Sequence, residues 1–176
     1  MKIVKCTYEH LDELSAFFDK VTTHLCNNIN YPKWIPNVYP GRESCKLAIE
    51  NKYQYACIKN GRIVGAVILN DNPQGHYEAG EWQVNLKQGE YMVIHTLATD
   101  PDLYNQGISK FLVEFCIMHA KSQGYKAVRL DVVPGNIPAV KLYEKLGFKY
   151  AGEKDLKRFE HIPTFLLYEL NFTKDV

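Results

Sequence analysis

The sequence predicts a mixed α/β (α+β) fold: a mostly antiparallel sheet with a central parallel β-α-β crossover and helices on both faces. Three observations carry this. Apolar residues recur at helical spacing in four stretches and at strand-like spacing in seven. Asn60-Gly61 joins two of the strands, the pair that best fits a tight type I′ hairpin and so makes them antiparallel neighbours. A strand, a helix and a strand follow one another across 91–133, and such a connection is a right-handed crossover between parallel neighbours.

The elements follow in order. KIVKCT opens with strand-like alternation. Leu11, Leu14, Phe18, Val21 and Leu25 then mark an amphipathic helix over 9–26. NNINYPKWIPNVYPGRES, rich in Pro, Asn and aromatics, reads as a loop long enough to suggest a functional cover rather than a connector. A short helix at about 44–51 precedes the hairpin strands YQYACIK and RIVGAVIL. NDNPQGHYEAGEWQV is turn-rich, and YMVIHTLAT is the central strand. From Ile108 the pattern turns helical through Phe111, Leu112, Phe115, Cys116 and His119, stopping near Gln123-Gly124. KAVRLDVV is a strand, Asn136 stands as N-cap of a helix ended by Gly147, and FKYAGEKDL and PTFLLYELNF form a last antiparallel pair. No repeat or linker divides the chain, so residues 1–176 read as one domain.

Composition narrows the function. With 46% hydrophobic and 23% charged residues the chain is long enough for a sizeable core. A net charge of +1 without a long basic run gives no general pull toward nucleic acid. The most apolar stretch, IVGAVIL at 63–69, is too short to span a bilayer, and acidic residues break the N-terminal apolar pattern. A cytoplasmic protein with no membrane or nucleic-acid partner is expected. Five cysteines at irregular spacing support neither a disulfide framework nor a zinc site, and no metal is expected.

The turn YNQGIS, between the central strand and its helix, has a chemical meaning. The first N–H groups of a helix lack intrahelical partners and the macrodipole makes that end partly positive. A glycine there lets backbone approach a phosphate closely. Asn105, Gln106, Gly107, Ile108, Ser109 and Lys110 would supply such a cradle, although one glycine before a helix is by itself also an ordinary turn.

LATDPDLYNQGISKFL, followed by LDVVPGNIPAVKLYEKLGF, resembles the GNAT superfamily of acetyl-CoA-dependent N-acetyltransferases. That family has a strand ending L-x-V-x-P, an R/Q-x-x-G-x-G/A loop that binds the CoA pyrophosphate, and later N-x-x-A-x-x-x-Y-x-x-x-G-F. Leu97, Thr99 and Pro101 match the strand end, with Thr for Val. Tyr104 to Ser109 fall on the loop, keeping only its central glycine, with Tyr for Arg/Gln and Ser for Gly/Ala. Asn136, Ala139, Tyr143, Gly147 and Phe148 match the second motif fully.

The resemblance implies acetyl transfer from acetyl-CoA to a primary amine of a small molecule or peptide, by direct attack in a ternary complex. Removing a proton from a lysine-like amine, of pKa ~10.4, at neutral pH costs about 4–5 kcal/mol, so a base is needed. Main-chain groups of Leu97, Ala98 and Thr99 would bind the acetyl and pantetheine groups and the oxyanion. Strands that part beyond this point would leave backbone groups for the ligand to satisfy. Tyr143 would protonate the departing thiolate; without the resemblance it reads as a core aromatic beside Ala139, Leu142 and Leu146. Asn136 reads as N-cap, as pantetheine contact, or both.

Three residues compete as base. Asp131 occupies the place where ribosomal-protein N-terminal acetyltransferases of the superfamily have a catalytic Glu. His95 alternates onto the face of Leu97 and Thr99, and Glu81 stands beside Trp82 in the segment before the central strand. Each also has an ordinary structural reading. Tyr31, Trp34, Tyr39, Trp82 and Tyr91 are either acceptor contacts or packing, and Lys110, Lys141 and Lys145 either meet CoA phosphates or are solvated. A catalytically inactive CoA-binding regulatory module is the alternative. A Rossmann domain needs G-x-G-x-x-G after an early strand, which is absent. Family members often pair, and the sequence does not choose between monomer and homodimer.

Overall fold

The computed structural model describes residues 1–172. Its order is β1 (Lys2–Lys5), α1 (Leu11–Asn27), α2 (Arg42–Glu50), β2 (Gln54–Lys59), β3 (Arg62–Asn70), β4 (Tyr91–Thr99), α3 (Ile108–Ser122), β5 (Ala127–Val132), α4 (Ile137–Lys145), β6 (Lys149–Lys154) and β7 (Phe165–Asn171). This is the mixed α/β order expected, with short 3-10 turns at Tyr8–His10, Tyr77–Ala79 and Pro101–Leu103. The strands form one sheet in the order β1-β2-β3-β4-β5-β7-β6. β1 with β2, β2 with β3, β5 with β7 and β6 with β7 are antiparallel, and β4 runs parallel to β5 from Tyr91↔Ala127 to Ile94↔Leu130.

Local chemistry explains the boundaries. The β2–β3 loop is Asn60-Gly61, with φ of 51° and 73°, both in the left-handed region a type I′ turn requires. α4 starts where the Asn136 side chain accepts the Ala139 N–H at 3.3 Å, with Pro in its first turn. α3 buries Ile108, Leu112, Val113, Cys116 and Ala120, while Phe111, Phe115 and His119 of the expected stripe are only half-buried.

Contacts divide the chain into two compact bodies: Met1–Leu69 with His95–Phe115, and Asn70–Ile94 with Cys116 onward. The first has a core of Leu11, Leu14, Phe17, Phe18 and Val21 from α1, Cys45 and Ile49 from α2, and Ala56, Ile63, Ala66 and Ala98 from the sheet. The second packs Tyr77, Tyr91, Val93, Ala127, Ala151, Leu156, Phe165 and Leu167. Four cysteines are buried, Cys26 is exposed, and none is in a disulfide. Among the described residues no helix is long and apolar enough to cross a membrane.

Candidate active site

In the first body, the end of β4 is the segment expected to bind the donor. Thr96 has φ 48°, an outlier for a β-branched residue in a strand. The strict alternation expected for His95, Leu97 and Thr99 breaks there: His95 is buried, Thr96 and Leu97 are half-buried, and Ala98 and Thr99 are buried. A left-handed residue adds a bend, which re-aims the groups that follow it.

The turn from β4 to α3 is pinned at several points. Asp100 accepts the Asp102 N–H at 3.0 Å, and Lys20 reaches Asp100 at 2.6 Å and Asp102 at 2.7 Å. Lys59 donates to the Gln106 side chain at 2.9 Å. Thr99 and Ser109 share a hydroxyl–hydroxyl bond of 2.7 Å that ties strand end to helix start. Asn105 and Gly107 have φ of 64° and 79°. The first backbone bond of α3 runs from the Phe111 N–H to the Gly107 carbonyl at 3.0 Å. The amides of Gly107, Ile108, Ser109 and Lys110 therefore lack intrahelical acceptors.

A side-chain carbon added at Gly107 would meet nothing within 4 Å, so the cradle opens outward. Gly65 does the opposite work. A Cβ there would lie 2.8 Å from both Ile108 and Leu112, so glycine admits the first turns of α3 against β3. Main-chain donors at the start of a helix are groups that could hold a phosphate. Lys110 is exposed and faces Glu114 at 3.5 Å, and Tyr104 stacks edge-on with His24 at 5.7 Å.

In the second body, α4 places Tyr143, which is 5% exposed and lies edge-on to Phe148 at 5.5 Å. Burial pushes its phenol pKa up, and the neighbouring Cys116 and Asp131 push the same way. The group therefore stays protonated through the neutral range. Asn136 spends its carbonyl on the helix cap. Ala139 is half-buried in the first turn, and Lys141 and Lys145 are exposed.

Asp131, at the end of β5, is already engaged. Tyr77 donates to its Oδ2 at 2.6 Å, Arg158 Nη1 to the same oxygen at 3.2 Å, and Arg158 Nη2 pairs with Oδ1. Tyr77 is held neutral by burial and by the Asp131 charge, and Arg158 lies over the Phe165 ring at 4.4 Å. Nothing in the sequence singled out Tyr77 or Arg158, which stand 54 and 27 residues from the aspartate. Glu81 pairs with Lys154 at 2.7 Å on the surface.

Trp82 and Tyr91 resolve toward packing. They sandwich the buried Arg129 at 4.2 and 4.1 Å, and Arg129 pairs with the buried Glu169 at 2.8 Å. Trp34 is likewise packed on the first core, edge-on to Phe18 at 6.4 Å, with Tyr31 half-buried nearby in sequence. A cavity of about 590 Å³ in the second body, lined by Gln83, Gly147, Lys149 and Glu169 among others, includes none of the candidates. Among the described residues no His, Cys, Asp and Glu group could hold a metal ion.

The sequence pattern of the acetyltransferase (GNAT) family matches residues 23–148, and the chain belongs to that family. Over 58 residues it is 36% identical to the [Ribosomal protein bS18]-alanine N-acetyltransferase of Escherichia coli, covering 33% of this chain and 39% of that one. It is 38% identical over 55 residues to mycothiol acetyltransferase of Actinosynnema mirum, covering 31% and 18%. It is 37% identical over 68 residues to human N-acetyltransferase 8B, covering 39% and 30%. The chain thus matches well under half the length of each of these relatives. A GNAT-family acetyltransferase of Streptococcus agalactiae superposes with a TM-score of 0.76 at 18% identity, over 98% of this chain and 96% of that one. At that identity the likeness shows the fold alone.

Proposed function

We propose that this protein is an N-acetyltransferase that moves an acetyl group from acetyl-CoA to a primary amine by direct attack in a ternary complex. The observation that carries the reading is the β4–α3 turn: free helix amides, an outward-opening glycine, and a Thr99–Ser109 bond that fixes them. Residues 1–176 act as one catalytic domain in this reading.

The roles divide between main chain and side chains. Backbone groups of Leu97, Ala98 and Thr99 hold the donor and the developing oxyanion, and amides of Asn105 to Lys110 hold its pyrophosphate. Ser109 shapes that cradle through Thr99 rather than by reaching out. Tyr143, buried and kept protonated, gives its proton to the departing thiolate. Asn136 and Ala139 fix the start of its helix.

For the base we favour His95, which is buried on the donor strand two residues before Leu97. Asp131 has both oxygens committed to Arg158 and Tyr77, so it serves as an anchor rather than a proton acceptor. Glu81 sits in an exposed pair. The acceptor is a small-molecule or peptide amine, as the names of the bS18-alanine and mycothiol enzymes suggest by likeness. Action in the cytoplasm, as monomer or homodimer, completes the reading.

Thermal unfolding with acetyl-CoA, against NAD and ADP controls, tests the donor site. Saturation at about 100 times Kd stabilises a one-site protein by ~2.7 kcal/mol, which is a rise of roughly 5–10 °C here. A rise with acetyl-CoA and turnover with an alanine-initiated peptide or another amine are expected. Binding without turnover across an amine panel would favour an inactive CoA-binding module, and no rise at millimolar acetyl-CoA would overturn the reading.

A further inference from the structure

We propose that Tyr39 and Thr96 form a positioning pair, through which the loop over residues 28–41 holds the bend of β4 and moves with the donor-binding segment. The inference rests on the acetyltransferase reading and states how its donor strand is kept in shape. Two observations within the first body lead to it. The Tyr39 hydroxyl is hydrogen-bonded to the Thr96 hydroxyl, across 57 residues of sequence. Thr96 is also the left-handed residue in β4, and it immediately precedes Leu97, Ala98 and Thr99.

A β-branched residue in that conformation persists only when its surroundings fix it. The loop that supplies Tyr39 is itself built to be rigid. Ile35 and Tyr39 exchange backbone bonds of 3.1 and 2.9 Å around a turn with Asn37 at φ 60°. Asn30 brackets Trp34 with bonds of 2.7 and 3.1 Å, and Trp34 packs on the α1 core. The hydroxyl at the tip is therefore delivered from a fixed frame, while Tyr39 itself remains about a third exposed. Stiffening the strand with acetyl-CoA should stiffen the tip as well.

Hydrogen exchange tests this without needing the acceptor. Tyr39→Phe and Thr96→Val should each raise exchange of the 97–99 amides about tenfold in the ligand-free protein, with little change in distant strands. Acetyl-CoA affinity by calorimetry should fall three- to tenfold. Thr96→Ser, which keeps the hydroxyl, should match the parent, and the Tyr39→Phe/Thr96→Val double variant should lose no more than either single. Acetyl-CoA should protect residues 35–39 in the parent and not in Tyr39→Phe. Unchanged exchange at 97–99, additive losses in the double variant, or a Thr96→Ser defect equal to Thr96→Val would overturn the pair. If the parent fails to bind acetyl-CoA, the transferase reading falls, and the ligand-free exchange still decides the pair.

Discussion

Segments 95–110 and 131–148 carry the two motifs, and in the proposed mechanism they hold their working groups by different means. In the first, the useful atoms are backbone: amides at the start of α3, a glycine at φ 79°, and side chains such as Ser109 and Asp100 that brace the turn from behind. In the second, the group proposed to work is a side-chain tip, the buried phenol on α4, beside an aspartate anchored by Tyr77 and Arg158. Main-chain chemistry tolerates sequence change, because any residue supplies an N–H. Side-chain chemistry does not. On the proposed reading, Tyr104 and Ser109 can therefore stand in the loop in place of the motif's residues, while Asn136 and Tyr143 match the second motif.

Substitutions can sharpen or break this contrast. The largest effect is expected for Tyr143→Phe, which should slow transfer roughly 10²–10⁴-fold while leaving acetyl-CoA affinity nearly intact. Equal turnover in parent and variant would return Tyr143 to the packing role. Asp131→Asn should cost about 3 kcal/mol, because it leaves Arg158 with a poorly compensated charge at 13% exposure, and Tm should drop roughly 6–12 °C. If Asp131 were instead the base, the pH–rate profile would lose a limb in addition to the loss of stability.

Gly107→Val should weaken acetyl-CoA binding by about tenfold or more in the folded protein, since the added carbons occupy the open side of the cradle. Its left-handed φ adds roughly 1–2 kcal/mol of instability, so affinity must be read below the lowered Tm. Smallest should be Ser109→Ala. It removes only the bond to Thr99, and about 1 kcal/mol in stability or affinity is expected. A large loss there would mean that the Ser109 hydroxyl touches the donor directly.

A pH titration probes the buried side. Burial raises the Cys6 and Cys45 thiols from 9.0 to about 12, and it also raises Tyr77 and Tyr143 above the ordinary phenol value of 10.0. Each group ionises more readily in the unfolded chain. The stability linked to them is complete below pH 9.0 and is lost as pH climbs toward about 12. Tm should therefore be flat through the neutral range and fall in alkali, and Cys6→Ser should flatten part of that fall.

Periodicity and turn chemistry made nearly all of the fold legible. Tyr91–Thr99 and the Asn60-Gly61 hairpin stand where alternation and φ requirements put them. α1 and α2 shifted by a residue or two at their starts, because helix ends depend on caps such as Gly41 with Ser44, which binary patterning does not weigh. The candidate site was legible wherever local spacing sets it, as in the cap by Asn136. It was opaque where long-range pairing decides: Asp131 looked available until Arg158 arrived from the β6–β7 loop, and the alternation through β4 hid the turn of phase at Thr96.

The cysteines leave a practical consequence. Cys6, Cys45, Cys57 and Cys116 are buried with raised thiol pKa values, whereas Cys26 is exposed near the end of α1. Thiolates are the species that react with alkylating reagents. Near neutral pH a maleimide dye should therefore enter at Cys26 alone, two residues before the loop that carries Trp34 and Tyr39. The other four should become reactive only as the protein opens, so the same reagent both labels the native molecule at one point and clocks its unfolding.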